Sequence, residues 1–267
     1  MPTQEILFTV DQHVATVTFN RPDSLNSLSL EVVKDLLALI RRIAADHDIR
    51  ALVLTGTGRG FCTGWQLGSK PLPGLEGESF GVSQGHLMEE YFNPVITELH
   101  DLEIPIVAAV NGVTAGAGVS LAMAADVAIA AESANFVLTF APKLGIVPDL
   151  GATWKLPRLI GWGRTQAATL LGDKITATDA AAWGMVWRCV ADAEFGAAVL
   201  DTARRLAAGP PGVAREVRHA HHAAYLNTLA EQLDYERQRQ KVLLDRRSFR
   251  EGLAAFAEKR APDFYRG

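Results

Sequence analysis

Three short apolar runs, "ALVLTG", "PIVAAVNG" and "VAIAAES", recur between Ala51 and Ser133, and each is of strand length. Runs of this size bounded by turn residues read as buried strands. A helix precedes the first of them: after the turn-rich "NRPDSLNS", residues Val33, Leu36, Leu37, Ile40 and Ile43 fall on one helical face. Strands alternating with helices point to βαβ units and a layered α/β core. "EILFTV" and "HVATVTF" alternate in hydropathy and read as an opening β-hairpin, with Asp11 and Gln12 between the strands.

At 267 residues the chain has length for one large α/β domain or two small ones. From Gly151 onward it reads as helical except for "MVWRCV", and no break in composition marks a linker. The final "LAEQLDYERQRQKVLLDRRSFREGLAAFAEKR" is long, charged and amphipathic, suited to a neighbouring subunit or to a solvated face. "GSKPLPGLEGESFGVSQG" is rich in Gly, Pro and Ser and reads as a long mobile loop.

Several function classes fall away. A net charge of −4 and a pI near 6.0 leave no basic footprint for nucleic acid. Cys62 and Cys189 fit a reducing compartment and form no metal-type cluster. The start carries acidic residues rather than a basic and then apolar stretch, so no signal peptide is expected. No apolar run reaches membrane-spanning length, and a cytoplasmic protein is the expectation. "GVSQG" has the letters of a serine-hydrolase nucleophile elbow, but "PGLEGESF" before it is no strand, so Ser83 reads as a loop serine. "VLTGTGRGF" lacks both the dinucleotide spacing and a following ribose-binding acid. His219, His221 and His222 sit together on a polar helix and read as solvated.

What remains is a set of features around two glycine-dense turns, "GTGRGFCTGWQLG" and "VNGVTAGAGVSLAMAADVAI", each following a buried strand. In the second, Gly116, Ala117 and Gly118 lead into an apolar helix, whose N-terminus adds positive potential. One such turn is satisfied by close packing alone. Two of them, followed by "KLGIVPDLGATW" with Asp149 among apolar residues, suggest backbone N–H groups aimed at one oxygen and a carboxylate nearby. That pairing suits a thioester carbonyl turning into an enolate as a base removes a proton. The competing role for Asp149 is a cap on the "GATWKL" helix.

These segments resemble the crotonase (enoyl-CoA hydratase/isomerase) superfamily. The resemblance rests on "FNRPDSLNSLS", "RGFCTGWQL", "AVNGVTAGAGVSLAMAADVAIA", "KLGIVPDLGATWKLPRLIG" and "FREGLAAFAEKRAPDF", in the family's order. Within it, "YFNPVITELHDLEIPIVAAVNGVTAGAG" and "FAPKLGIVPDLGATW" are most similar to the epoxyphenylacetyl-CoA isomerases of phenylacetate breakdown. The resemblance implies a ββα-spiral core over residues 1–200 and a C-terminal helical region over 201–267 for trimerisation. It implies thioester oxyanion donors at the backbone of Trp65 and Ala117, between Gly116 and Gly118. Coenzyme A, part of the substrate rather than a cofactor, would pass Ser24, Leu25, Thr63, Gln66 and Leu67. Phe256 and Lys259 would reach its nucleotide end from an adjacent subunit of a homotrimer or hexamer, and the loop around Gly74 to Gly85 would shape the acyl pocket.

Two departures matter. Hydratases of the family use two glutamates. Ser120 occupies the position of the first, and "LTFAP" offers no acid for the second. A serine hydroxyl is no base near neutral pH without activation. Asp149 is thus the single carboxylate expected to face the acyl group, which suits returning a proton to another carbon of the same substrate. The reading favoured is double-bond or epoxide isomerisation. The alternatives are a hydratase of low efficiency in fatty-acid or aromatic-acid degradation, and a non-catalytic subunit that binds coenzyme A. The second departure is "GWQL", where relatives carry a small residue followed by Asp. The Trp65 indole is expected to narrow or reshape the acyl pocket.

Overall fold

The computed structural model describes residues 4–66 and 77–265. Leu67 and residues 68–76 of the Gly- and Pro-rich segment lie outside the described residues.

The opening strands β1 (Ile6–Asp11) and β2 (Val14–Phe19) pair antiparallel as expected. The turn itself falls one residue later than read, because Asp11 pairs with Val14 and Gln12 and His13 take φ of 46° and 67°. Left-handed angles at both central residues match the twist of a two-residue hairpin. Helix α1 (Leu30–Ala45) is capped by Ser29, whose Oγ accepts the Val32 N–H at 3.2 Å.

The chain then repeats one pattern. Long strand β3 (Ala51–Gly56) is followed at once by short β4 (Gly60–Cys62), β5 (Ile106–Val110) by β6 (Val113–Ala115), and β7 (Val127–Ala131) by β8 (Asn135–Val137). Two further strands, β9 (Ile175–Thr176) and β10 (Arg188–Val190), come later. The long strands form a sheet in the order β1-β2-β3-β5-β7-β10, and the short ones a second sheet, β4-β6-β8-β9. Each turn of this spiral therefore contributes one strand to each sheet. Because β4 and β6 are parallel neighbours, the glycine turns that follow them come together at one edge.

Alternate residues of the long strands serve two cores. Leu52, Leu54 and Ile106 join the cluster that receives α1, while Val53, Val107, Ala109 and Ile129 meet Val199, Ala203 and Ala207. That explains strands apolar at every position rather than at every second one.

The other helices are α2 (Phe80–Leu87), α3 (Asn93–Asp101), α4 (Ala117–Ala124), α5 (Ala152–Leu171), α6 (Ala177–Trp183), α7 (Asp192–Ala207) and α8 (Val213–Ala224). They are followed by α9 (Leu229–Leu243) and α10 (Arg247–Glu258). Position 200 lies within α7.

Three readings are corrected. Ser83 is no loop residue: it lies in α2, capped by Ser79, and is 2% exposed. The long C-terminal amphipathic stretch is two helices, with α10 starting anew after Arg246. Two of the three α8 histidines are not simply solvated, because α8 packs against α3 and α5, whereas His221 is exposed as read. His219 Nε2 lies 3.0 Å from Asp101 Oδ1 and its ring stacks on His100, while His222 meets the Trp154 ring at 5.1 Å.

Candidate active site

Gly64 and Gly116 shape the edge where the two glycine turns meet. Gly64 has φ 82°, and a Cβ there would stand 2.8 Å from the Ala117 nitrogen. A side chain would fill the space in front of that N–H. Gly116 takes φ 52° and ψ −128°, conformational freedom that lets Ala117 enter α4 with helical angles. Ala117 in place of a glycine is thereby accommodated.

As the first residue of α4, Ala117 has an N–H with no carbonyl of its own helix to bond. Gly118 brings the helix in close: its missing Cβ would lie 2.0 Å from the Cys62 carbonyl oxygen. All eight residues of α4 are buried.

Trp65 forms an isolated parallel bridge with Leu28. The Leu28 N–H donates to the Gly64 carbonyl at 2.8 Å, and the Gln66 N–H donates to the Leu28 carbonyl at 2.9 Å. In extended chain alternate residues turn their polar groups to opposite sides, so the Trp65 N–H points away from Leu28. Its indole packs edge-on against Phe92 at 4.9 Å. Phe92 ends a π-helical turn, Met88–Phe92, that leads into α3.

The coenzyme A candidates other than Leu67 converge next to this edge. Thr63 Oγ1 donates to the Ser24 and Leu25 carbonyls at 3.1 and 3.2 Å, and Arg21 Nη2 donates to Gln66 Oε1 at 2.8 Å. Leu25 and Asn26 hold left-handed angles of 51° and 60°. Asn26 fixes that turn: its Nδ2 donates to the Thr57 and Gly60 carbonyls at 3.0 and 2.7 Å, and its Oδ1 accepts the Arg21 N–H. Arg21 and Asn26 are supports that the sequence signalled only as a turn-rich stretch. Phe256, 86% exposed, and Lys259, at the end of α10, are not brought to this group within one chain.

Asp149 stands before α5, and capping is not its role. Gly151 is the N-cap with φ 78°, and no side chain caps this helix. Asp149 Oδ1 is buried and has no hydrogen-bond partner among the described residues. Burial pushes the carboxyl up to about 6, with a backbone hydrogen bond pulling the other way. The loop is anchored through its main chain: Ser120 Oγ donates to the Asp149 carbonyl at 2.9 Å. Ser120 and Ala117 are three residues apart on α4 and share a face. The helix that presents the Ala117 N–H at its start thus also holds the carboxylate's loop one turn further along.

Among the described residues, three potential metal ligands approach one another only at His100, Asp101 and His219, away from this edge. No helix among them is long and apolar enough to cross a membrane.

Known proteins share this architecture. The chain is 41% identical over 260 residues to the 1,2-epoxyphenylacetyl-CoA isomerase of Escherichia coli, covering 97% of each. It is 39% identical over 264 residues to a "Probable enoyl-CoA hydratase" of Rhodobacter capsulatus, covering 99% of each. The crystal structure of the enoyl-CoA hydratase from Bacillus anthracis superimposes with a TM-score of 0.88 at 31% identity, over 98% of this chain and 99% of that one. Residues 9–267 match the family described as enoyl-CoA hydratase/isomerase, and the ββα spiral expected from the sequence is the fold observed. This chain belongs to the enoyl-CoA hydratase/isomerase (crotonase) family of acyl-CoA enzymes.

Proposed function

We propose that the protein is an acyl-CoA isomerase that shifts a double bond, or rearranges an epoxide ring, with Asp149 as its single acid/base. The Trp65 and Ala117 N–H groups would hold the thioester oxygen as it becomes an enolate oxyanion. Asp149 would take a proton from one carbon and return it to another. Coenzyme A would lie along Ser24, Leu25, Thr63, Gln66 and Leu67. Phe256 and Lys259 of a neighbouring copy in a homotrimer or hexamer would cover its nucleotide end.

One observation carries the reading: Asp149 Oδ1 is buried without a partner among the described residues, while Ser120 spends its hydroxyl on the Asp149 backbone. A carboxylate held near neutral affinity for protons is suited to both accepting and returning one. The aromatic pair Trp65 and Phe92 beside the donor favours a flat acyl group, in line with a place in phenylacetate breakdown.

The test is incubation with a 3-enoyl-CoA and, separately, a 2-enoyl-CoA in deuterated water, read by mass spectrometry. Bond migration with deuterium exchange and no added water supports the isomerase. Net hydration would establish the second reading, a hydratase with water placed by Asp149 alone, which the likeness to the Rhodobacter protein supports. Tight binding without exchange would leave a non-catalytic subunit.

A further inference from the structure

A cavity of about 360 Å³ lies between α4, α5 and α8. None of Trp65, Ala117 or Asp149 lines it. Its charged lining is Asp126, Lys155, Arg158 and Arg218. Two of these cancel. Arg218 Nε lies 2.8 Å from Asp126 Oδ1, and the same guanidinium donates to the carbonyls of Leu99, His100 and Ile104.

The other two, Lys155 and Arg158, three apart on α5, form no close ion pair of their own among the described residues, although the Asp126 carboxylate also acts on Lys155 through space. The Lys155 side chain lies 5.7 Å from the Trp154 ring centre, and burial holds its ammonium below the ordinary lysine range. Arg158 donates through Nη1 to the Trp154 carbonyl at 2.7 Å, and its guanidinium carbon sits 4.1 Å from the Trp154 ring centre and 4.8 Å from that of Tyr225. Three cations therefore face a single carboxylate in a cavity with flat aromatic walls, leaving it positive in a chain whose net charge is −4.

The neighbouring His100, Asp101 and His219 do not compete as a metal centre on physical grounds. Asp101 is already engaged by His219, and the Lys155 and Arg218 charges act on His100. Local positive charge opposes a cation and favours an anion.

We infer that this cavity binds a small aromatic oxyanion, a planar ring carrying a phosphate or carboxylate, with the head group between Lys155 and Arg158 and the ring against Trp154 and Tyr225. The ammonium supplies a point charge, and the guanidinium, already oriented by Trp154, supplies directional donors.

Isothermal titration of the purified full chain with phenyl phosphate, and separately with benzoate, tests this. At least one probe should bind saturably at one site per chain, and saturating coenzyme A should not displace it. Lys155→Gln and Arg158→Gln should each weaken binding at least fivefold. The tighter probe identifies the head group. Lys155→Gln is the cleaner variant, since Lys155 donates no described hydrogen bond, whereas Arg158 also packs on two rings; circular dichroism and coenzyme A binding report the fold of both. No saturable binding, displacement by coenzyme A, or less than fivefold weakening in both variants would overturn the assignment.

Discussion

Helices α4 and α10 are both short and rich in small and apolar residues, yet they obey opposite constraints. All eight residues of α4 are buried, and every position is fixed by what it touches. In α10 only Ala255 is buried, while Phe256 is 86% exposed. The buried helix shows a geometry fixed entirely inside one chain. The exposed one shows a surface whose use depends on what comes to it.

Substitutions on the α4 side should do the most damage. Asp149→Asn should lower kcat by about 10²–10⁴, the usual span for an acid/base group, while coenzyme A affinity measured by calorimetry stays within about twofold. In the parent protein kcat/KM should rise with pH through about 6 and level off above, since on the proposed reading the ionised carboxylate is the base. The stability effect has the opposite sign. The raised affinity for a proton stabilises the fold below the ordinary carboxylate range, and that contribution is lost as pH rises through about 6. Asp149→Asn should therefore melt higher than the parent at pH 8, and the gap should close by pH 4.

Gly64→Ala should come next. It forces an L-residue to φ 82° and sets a methyl 2.8 Å from the Ala117 nitrogen. Loss of one oxyanion donor costs about 10²–10³ in rate. A kcat close to the parent's would remove Ala117 from the oxyanion site.

Ser120→Ala deletes a single hydrogen bond of about 0.5–1.5 kcal/mol to the Asp149 loop, and should cost roughly 2–10-fold in kcat with little change in KM. At the other helix, Phe256→Ala should leave the melting temperature of the chain nearly unchanged and raise KM by roughly 2–10-fold, as expected for a lost aromatic contact. A kcat loss larger than that of Ser120→Ala would erase the contrast between the two helices.

The same contrast governs what could be read in advance. Strands β3, β5 and β7, the glycine turns and the isolated Asp149 were legible, because backbone approach and burial restrict the residue types allowed. The bond from Ser120 to Asp149 joins residues 29 apart and depends on how α4 meets the loop, which no local spacing encodes. The packing of Trp65 on Phe92 was hidden for the same reason: a π-helical turn sets the Phe92 ring. The break between α9 and α10 escaped because the charged faces on either side continue one pattern. His219 and His222 read as solvated, since their partners on α3 and α5 lie far away in sequence.

The tight seat of α4 on β4 also has a redox consequence. Gly118 presses against the main chain of Cys62, whose thiol is fully buried and pushed up to about 12 by that burial. At neutral pH such a thiol stays protonated, whereas the thiolate is the form that oxidants and alkylating reagents attack. Although Cys62 lies three residues before Trp65, iodoacetamide or mild peroxide should leave turnover intact at doses that consume accessible thiols.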